Sequence, residues 1–247
     1  MALQWNETGD SMKLNWKDTN ITGYVTSVSW SGSAKQAARS VVFNVAYSPN
    51  DKNVKNLGIK LGDKITFYPG YPDDKFKNLK AGYTFMFGHP GKKLLFMGQD
   101  FGQLREWSEA RELDWYLLGE ENHQKLQQYV SDLLHIYRKY PALYGADNDP
   151  SAFEWINAND GDRSIFSFVR KSPTRRNNIL IVCNFTPVAR PDYRVGVPKK
   201  KQYKLIMDEN GLLEQPKTFK AVKQKCDNRE FSFAYPLPAY GVAIFTY

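Results

Sequence analysis

The chain has 247 residues, enough for one large domain or two smaller ones. A hydrophobic fraction of 42% and an aromatic fraction of 15% suit a packed globular protein. The formal charge of +8 would permit a nucleic-acid partner, but the lysines are scattered and the densest run, Lys199-Lys200-Lys201, reads as a turn between strands, so none is expected.

Along the chain, Met1 to Gly9 lacks the basic start and apolar core of a secretory signal. No apolar run approaches the roughly 18 residues of a membrane helix, so no membrane partner is expected. Ile21 to Trp30 alternates apolar and small polar residues at strand period. Arg39 to Tyr47 is a second β-rich run, broken by Ser48-Pro49-Asn50-Asp51. Ile59 to Tyr68 is a third, with a turn or bulge at Gly62-Asp63. Three strands with short turns predict part of a small β-barrel. The stretches TGYVTSVSWSG, QAAR, VFNVAY and IKLGDKITFY, in that order over Leu14 to Tyr68, resemble the amino-terminal part of baseplate hub proteins of contractile-tail phages and prophages.

Tyr68-Pro69-Gly70-Tyr71-Pro72 reads as a linker by composition. A join between two unrelated segments accounts better for the hub resemblance stopping there. Asp73 to Phe87 then predicts a helix, with Phe76, Leu79, Tyr83, Met86 and Phe87 near helical spacing. His89-Pro90-Gly91 ends it, because the residue before proline avoids the helical region. Lys92 and Lys93 read as solvated charges flanking a strand at Leu94 to Met97. A loop follows that carries Gln99, Asp100, Gln103, Glu106 and Trp107. Amides and acids bond hydroxyls and indole faces pack on pyranose rings, so this mixture suits a sugar. Trp107 and Trp115 also read as packing anchors.

His123 to Tyr140 predicts a second helix, with Leu126, Tyr129, Val130, Leu133, Leu134 and Tyr137 on one face, stopped by Pro141. The three histidines, His89, His123 and His135, read as helix-end or helix-surface residues. From Phe153 onward only strands are predicted: Phe153–Ile156, Ser164–Arg170, Ile179–Phe185, Tyr193–Val197, Gln202–Met207, Phe231–Tyr235 and Val242–Tyr247. They predict an antiparallel sandwich, and the segment from Ser151 to Tyr247 is long enough to fold on its own. The two cysteines, Cys183 and Cys226, have no metal or redox spacing. Cys183 reads as a small core residue, and a reducing cytoplasm is expected.

The sequence HPGKKLLFMG, then the loop with Phe101-Gly102-Gln103, Glu106-Trp107 and Leu113-Asp114-Trp115, closely resembles the 1,4-alpha-glucan branching enzymes of glycogen synthesis. The resemblance runs on through Phe153-Glu154-Trp155-Ile156, Cys183-Asn184-Phe185-Thr186-Pro187, Tyr193-Arg194-Val195-Gly196-Val197 and Pro236-Leu237-Pro238, covering about 70–247. Asp100 departs from the family, which usually has Glu there.

The resemblance implies a mixed fold. A β-rich partial barrel spans 1–69, a remnant of a (β/α)8 barrel (its last strand and flanking helices) spans 70–150, and a carboxyl-terminal antiparallel β-sandwich spans 151–247. Loops after barrel strands build active sites in such folds. It also implies α-glucan as partner and Gln99, Asp100, Gln103, Glu106 and Trp107 as substrate-side residues. No cofactor and no metal are implied. The reaction needs a carboxylate nucleophile and a carboxylic acid donor about 5 Å apart. In the family these, and a third carboxylate in a His-Asp pair, lie upstream of the matching segment. His89, His123 and His135 are followed by Pro, Gln and Ile, so no His-Asp pair exists. No catalytic residue is therefore assigned, and Asp100 with Glu106 in one loop is not read as a substitute. The expectation is an inactive carboxyl-terminal fragment of a branching enzyme. A phage tail structural protein and a non-catalytic glucan-binding module are the alternatives.

Overall fold

The computed structural model describes 74–247 in full, together with the start of a helix at Pro72 and the backbone of five strands before it. These are β1 (Lys13–Trp16), β2 (Thr19–Asn20), β3 (Val25–Ser31), β4 (Ser40–Val45) and β5 (Ile65–Tyr68). β1 pairs antiparallel with β2 and with β5, and β3 pairs antiparallel with β4. β4 and β5 fall within predicted β-rich stretches, and β3 runs one residue past the first of them, to Ser31. The rest of those stretches, and any barrel closure, lie outside the described residues.

Helix α1 (Pro72–Gly88) occupies the predicted stretch and stops one residue before His89-Pro90. Helix α2 (Glu121–Lys139) begins with an acid and ends with Arg138 and Lys139, which complements the helix dipole at both ends. It buries Leu126, Tyr129, Val130, Leu133 and Ile136. Leu134, predicted on this face, is 45% exposed. At 3.6 residues per turn the stripe through 126, 130 and 133 continues to Ile136 and passes Leu134 by.

A six-stranded antiparallel sheet follows, in the order β11-β10-β13-β8-β7-β6. Its strands are β6 (Phe153–Asn157), β7 (Ile165–Arg170), β8 (Ile179–Asn184), β10 (Gln202–Asp208), β11 (Gly211–Lys220) and β13 (Val242–Thr246). β9 (Arg190–Val197) and β12 (Phe231–Leu237) form a separate two-stranded sheet. Seven of these eight strands match the predicted ones. The strand β11 was not anticipated, because Glu214-Gln215-Pro216-Lys217-Thr218 shows no apolar alternation. It is an edge strand with most residues exposed, the position where polar side chains and proline are tolerated.

The central strands are buried on both faces. In β8, Ile179, Ile181 and Cys183 join the core under the helices, while Leu180 and Val182 join the core under the small sheet. In β13, Val242 and Ile244 face the helices, and Ala243 and Phe245 face the small sheet. Period-two alternation thus fills two cores from one strand. β10 obeys the same rule until a bulge between Leu205 and Met207, after which Ile206 and Met207 both join the helix side. The layers are therefore helices, large sheet and small sheet. Arg170 at the end of β7 is fully buried and ties these parts together. Its Nη1 donates to the Gly88 carbonyl at the end of α1 at 2.8 Å, and its Nη2 pairs with Asp147.

One predicted element is absent. Leu94 to Met97, expected as the last strand of a barrel, forms no strand and pairs with none. Lys92 to Phe96 carry no regular secondary structure, and the chain turns at Met97-Gly98. A strand is completed by a neighbour, and the described residues provide none at this segment. Between α1 and the sheet, the described residues thus hold helices and a loop, without the expected strand.

Candidate functional site

The loop after this segment is held from below. Gly98 and Gly102 adopt left-handed conformations with φ of 79° and 72°, bracketing a single 3-10 turn at Gln99–Phe101. Side chains are disfavoured at both, by conformation and by space: a Cβ at Gly102 would lie 2.9 Å from Leu126 Cδ2. Phe101 is completely buried. The Tyr83 hydroxyl donates to the Gln99 carbonyl at 2.6 Å, and burial with the nearby Asp100 charge pushes this phenol up to about 12. His123 is buried, with its Nδ1 2.7 Å from the Phe101 carbonyl. A carbonyl only accepts, so Nδ1 carries the proton. Phe76 meets the His123 ring edge-on at 4.9 Å.

The candidate amides are largely engaged within the loop. Gln99 Oε1 accepts from the Phe96 amide at 2.8 Å. Gln103 Nε2 donates to the Arg105 carbonyl at 3.0 Å, while its Oε1 accepts from the Asp114 amide at 2.9 Å. Arg105 makes a two-pronged pair with Asp114, through Nε to Oδ2 at 2.9 Å and through Nη2 to Oδ1. That hydrogen-bonded guanidinium holds the Asp114 carboxyl below its usual range. Asp100 turns the other way and accepts from Gln127 Nε2 on α2 at 3.2 Å.

Gln99, Gln103, Glu106 and Trp107 line one open depression of about 410 Å³, together with Phe96, Met97, Leu104 and Arg105. Of the sequence candidates, only Asp100 lies outside it. The Trp107 ring meets Phe96 edge-on at 5.4 Å. The sequence alone does not reveal the apolar lining, because it places Phe96 and Met97 in a strand rather than in the loop. They are 49% and 47% exposed, and Leu104 is 73% exposed. Trp107 and Trp115, read as packing anchors, are 37% and 50% exposed.

Other expectations need correction. His89 sits at the end of α1, within the helix-end reading, but its ring is partly covered among Phe85, Phe153, Trp155 and Phe168 at 5.0–6.1 Å. His123 is buried, as described. Lys93 is not a solvated flank. Its ammonium donates to the His89 carbonyl and lies 5.6 Å from the Tyr137 ring, and burial lowers its pKa to about 8. Cys183 is a completely buried core residue, as expected, and burial raises its thiol well above the ordinary range. Asn184 explains part of the Cys-Asn-Phe-Thr-Pro motif. Its Nδ2 donates to the carbonyls of Val188 and Pro238, and its Oδ1 accepts from the Thr186 amide and hydroxyl. All four bonds are internal, so this asparagine shapes a turn. Among the described residues no cluster of His, Cys, Asp and Glu could hold a metal ion, and no helix is long and apolar enough to cross a membrane.

Residues 155–247 match the family described as alpha amylase, C-terminal all-beta domain. The chain is 51% identical over 185 residues to the 1,4-alpha-glucan branching enzyme GlgB of Butyrivibrio fibrisolvens, covering 72% of this chain and 29% of that protein. It is 48% identical over 147 residues to the corresponding enzyme of Aquifex aeolicus, covering 60% of this chain and 23% of that one. Pullulanase type I from Bacillus subtilis str. 168, solved in complex with maltose, shares the fold over 71% of this chain and 24% of its own. The TM-score there is 0.50 and the identity 14%, a likeness of fold alone. The chain spans less than a third of the length of the branching enzymes it matches. Its carboxyl-terminal part is thus homologous to the 1,4-alpha-glucan branching enzymes and carries the alpha-amylase-type all-β domain.

Proposed function

We propose that the chain is a carboxyl-terminal part of a 1,4-alpha-glucan branching enzyme, a transferase that moves α-1,4-glucan segments to 6-hydroxyls, and that it does not branch glucan by itself. The observation that carries this reading is the 51% identity over 185 residues to a branching enzyme of which the chain spans 29%. The family's catalytic carboxylates lie upstream of the matching segment, and Asp100 and Glu106 do not replace them. Asp100 is turned toward α2, away from the depression that Glu106 lines.

In this reading 70–150 derives from the catalytic barrel and 151–247 is the amylase-type β-domain. Residues 1–69 are read as a segment of different origin, on their resemblance to phage hub proteins. The glucan partner meets the depression at Glu106 and Trp107, an exposed acid beside an indole. Gln99, Gln103 and Asp100 shape the loop through the bonds they already make. No metal or organic cofactor takes part, and the cytoplasm is the site of action.

Incubating the purified chain with amylose and counting α-1,6 branch points after debranching tests the reading. No branches above a heat-killed control are expected, because removing catalytic residues costs orders of magnitude in rate. Measurable branching would overturn it. Gel retardation in amylose tests the contact: weak retardation is expected, and its loss in Trp107→Ala.

A further inference from the structure

The turn between β7 and β8 carries two neighbouring arginines with different surroundings. Arg175 reaches Ser151 Oγ at 3.0 Å and stands 3.7 Å from Asp149, so its charge is answered. Arg176 instead lines a depression of about 310 Å³, together with Lys139 at the end of α2 and with Ser172, Thr174, Asn177 and Thr246. No acid lines it. Among the described residues, Lys139 and Arg176 form no ion pair. The turn does not rely on either cation for its shape. Asn178 Oδ1 accepts from the Ser172 amide at 3.0 Å, and Asn178 exchanges two backbone hydrogen bonds with Tyr247. Arg175 and Asn177 are held at φ of 58° and 52°, in the left-handed region that a residue such as arginine avoids. Such a conformation persists only where the surrounding structure fixes it. Here it accompanies a turn that gives one arginine to Asp149 and the next to the depression.

We propose that this depression binds a phosphate group, as the free ion or as the ester of a small sugar. Guanidinium and ammonium groups make charge-assisted hydrogen bonds to phosphate oxygens, and the hydroxyls and amide beside them are further donors. Like charges gathered in a concave site attract an anion more strongly than the same charges spread over an open surface. The one opposing feature is the carboxyl end of α2, whose partial negative charge Arg138 and Lys139 offset. An ester also has room for its sugar. Lys139 and Tyr140 line a second depression of about 400 Å³, where Ile136, Leu212 and Pro216 supply an apolar wall. His135 lines it too, and its Nδ1 lies 2.8 Å from the Ser131 carbonyl, so that nitrogen carries the proton and Nε2 is left to accept from a hydroxyl. Asp132 also lines this second depression, which places the anion in the first one. The proposed site shares no residue with the depression at Trp107, and neither reading requires the other.

Calorimetric titration of the full chain with inorganic phosphate, glucose 6-phosphate and glucose tests the site, at about 0.15 M salt so that charges beyond about 8 Å are screened. Binding of a phosphate compound is expected, and none of glucose; the tighter of the two phosphate compounds identifies the source. Lys139→Gln/Arg176→Gln should weaken binding at least about tenfold, because two charge-assisted bonds are lost. Both side chains are exposed, so the thermal melt should match the parent. Lys199→Gln/Lys200→Gln removes the same charge from the turn between β9 and β10 and should bind as the parent does. No binding of either phosphate compound, or glucose bound as tightly as its phosphate, would overturn the proposal. So would equal weakening in the two double variants, since binding would then follow net charge alone. If Lys139→Gln disturbs the end of α2, Arg176→Gln alone still decides, because that side chain makes none of the bonds that shape its turn. It should weaken binding severalfold with an unchanged melt, and an unchanged affinity would count against the site.

Discussion

Two apolar runs of strand character meet different fates in this molecule. Ile179–Asn184 is hydrogen-bonded on both edges, to β7 and β13, and is buried along its whole length. Leu94 to Met97 is as apolar, yet it pairs with nothing described and exposes three of its four side chains. Local composition predicts strands at both places. The difference lies in what surrounds them, because β-propensity measures fit to a sheet that must already exist. A run of apolar residues specifies a strand only when the chain also supplies the neighbours.

The helices show the opposite outcome. Loss of a barrel would strip their cover, yet Ala81, Phe87, Leu126, Leu133 and Ile136 are buried against the outer face of the six-stranded sheet. Helices and sheet share one core. This changes the expectation that Ser151 to Tyr247 folds unaided. Excising it would expose Phe168, Ile179, Ile181, Met207 and Ile244, each worth about 1.5–3 kcal/mol when buried. Against a typical total of about 5–15 kcal/mol, such a loss removes most of the stability. The excised segment is therefore expected to melt without a cooperative transition and to bind an apolar dye. A cooperative melt at the temperature of the full chain would show that the helices only decorate the sheet.

Hydrogen exchange on the full chain sharpens the comparison of the two runs directly. Core strands exchange only through large openings, whereas unpaired segments exchange almost freely. Amides of Ile179–Asn184 should be protected at least about a thousandfold more than those of Leu94 and Leu95. Equal protection would mean that the segment at Leu94 to Met97 has found a partner.

Much of the fold was legible, and the exceptions have physical causes. Alternation located the strands of the β-domain except β11, whose exposed edge position removes the apolar pattern that reveals a strand. Turn and loop residues marked the site loop, and Gln99, Gln103, Glu106 and Trp107 do come together. The burial of His123 and the partial cover of His89 and Lys93 were not legible. Each is fixed by residues distant in sequence or by carbonyls whose direction depends on the loop: Phe153 and Phe168 for His89, Phe101 for His123, Tyr137 for Lys93.

Arg170 extends the comparison to the joint between helices and sheet. Its guanidinium is 1% exposed and depends on Asp147 for its counter-charge. Asp147→Ala leaves that charge buried and unpaired, which costs about 3–5 kcal/mol in such settings. A urea midpoint shifted downward at constant slope would report it. Arg170→Met removes the fully buried charge and leaves only Asp147, whose side chain is 17% exposed and partly reached by water, so it should cost less. If Arg170→Met proves the more damaging of the two, the joint rests on the hydrogen bond to the Gly88 carbonyl and not on the ion pair.

Lys93 gives the smallest effect and the most specific signature. Its folded pKa is about 8, against an ordinary value of 10.5, and the cause is burial. Below about pH 8 the amine is charged in both folded and unfolded chains, so the folded state bears the full cost of the partly buried charge. Between about 8 and 10.5 the folded amine is neutral while the unfolded one still holds its proton. The unfolded state then binds more protons, and stability rises with pH through this window. Solvent screening at a half-buried position limits the contribution to about 1 kcal/mol. Lys93→Met removes the titration along with the bond to the His89 carbonyl. The lost bond shifts stability by an amount that does not depend on pH, whereas the lost titration does. The midpoint of Lys93→Met minus that of the parent should therefore be most positive near pH 7 and fall steadily toward pH 10. Subtracting the parent also removes the tyrosines that titrate above this range, since both proteins carry them. A difference that stays flat across the window would place the Lys93 ammonium in water, and this end of the apolar run would be a solvated flank after all.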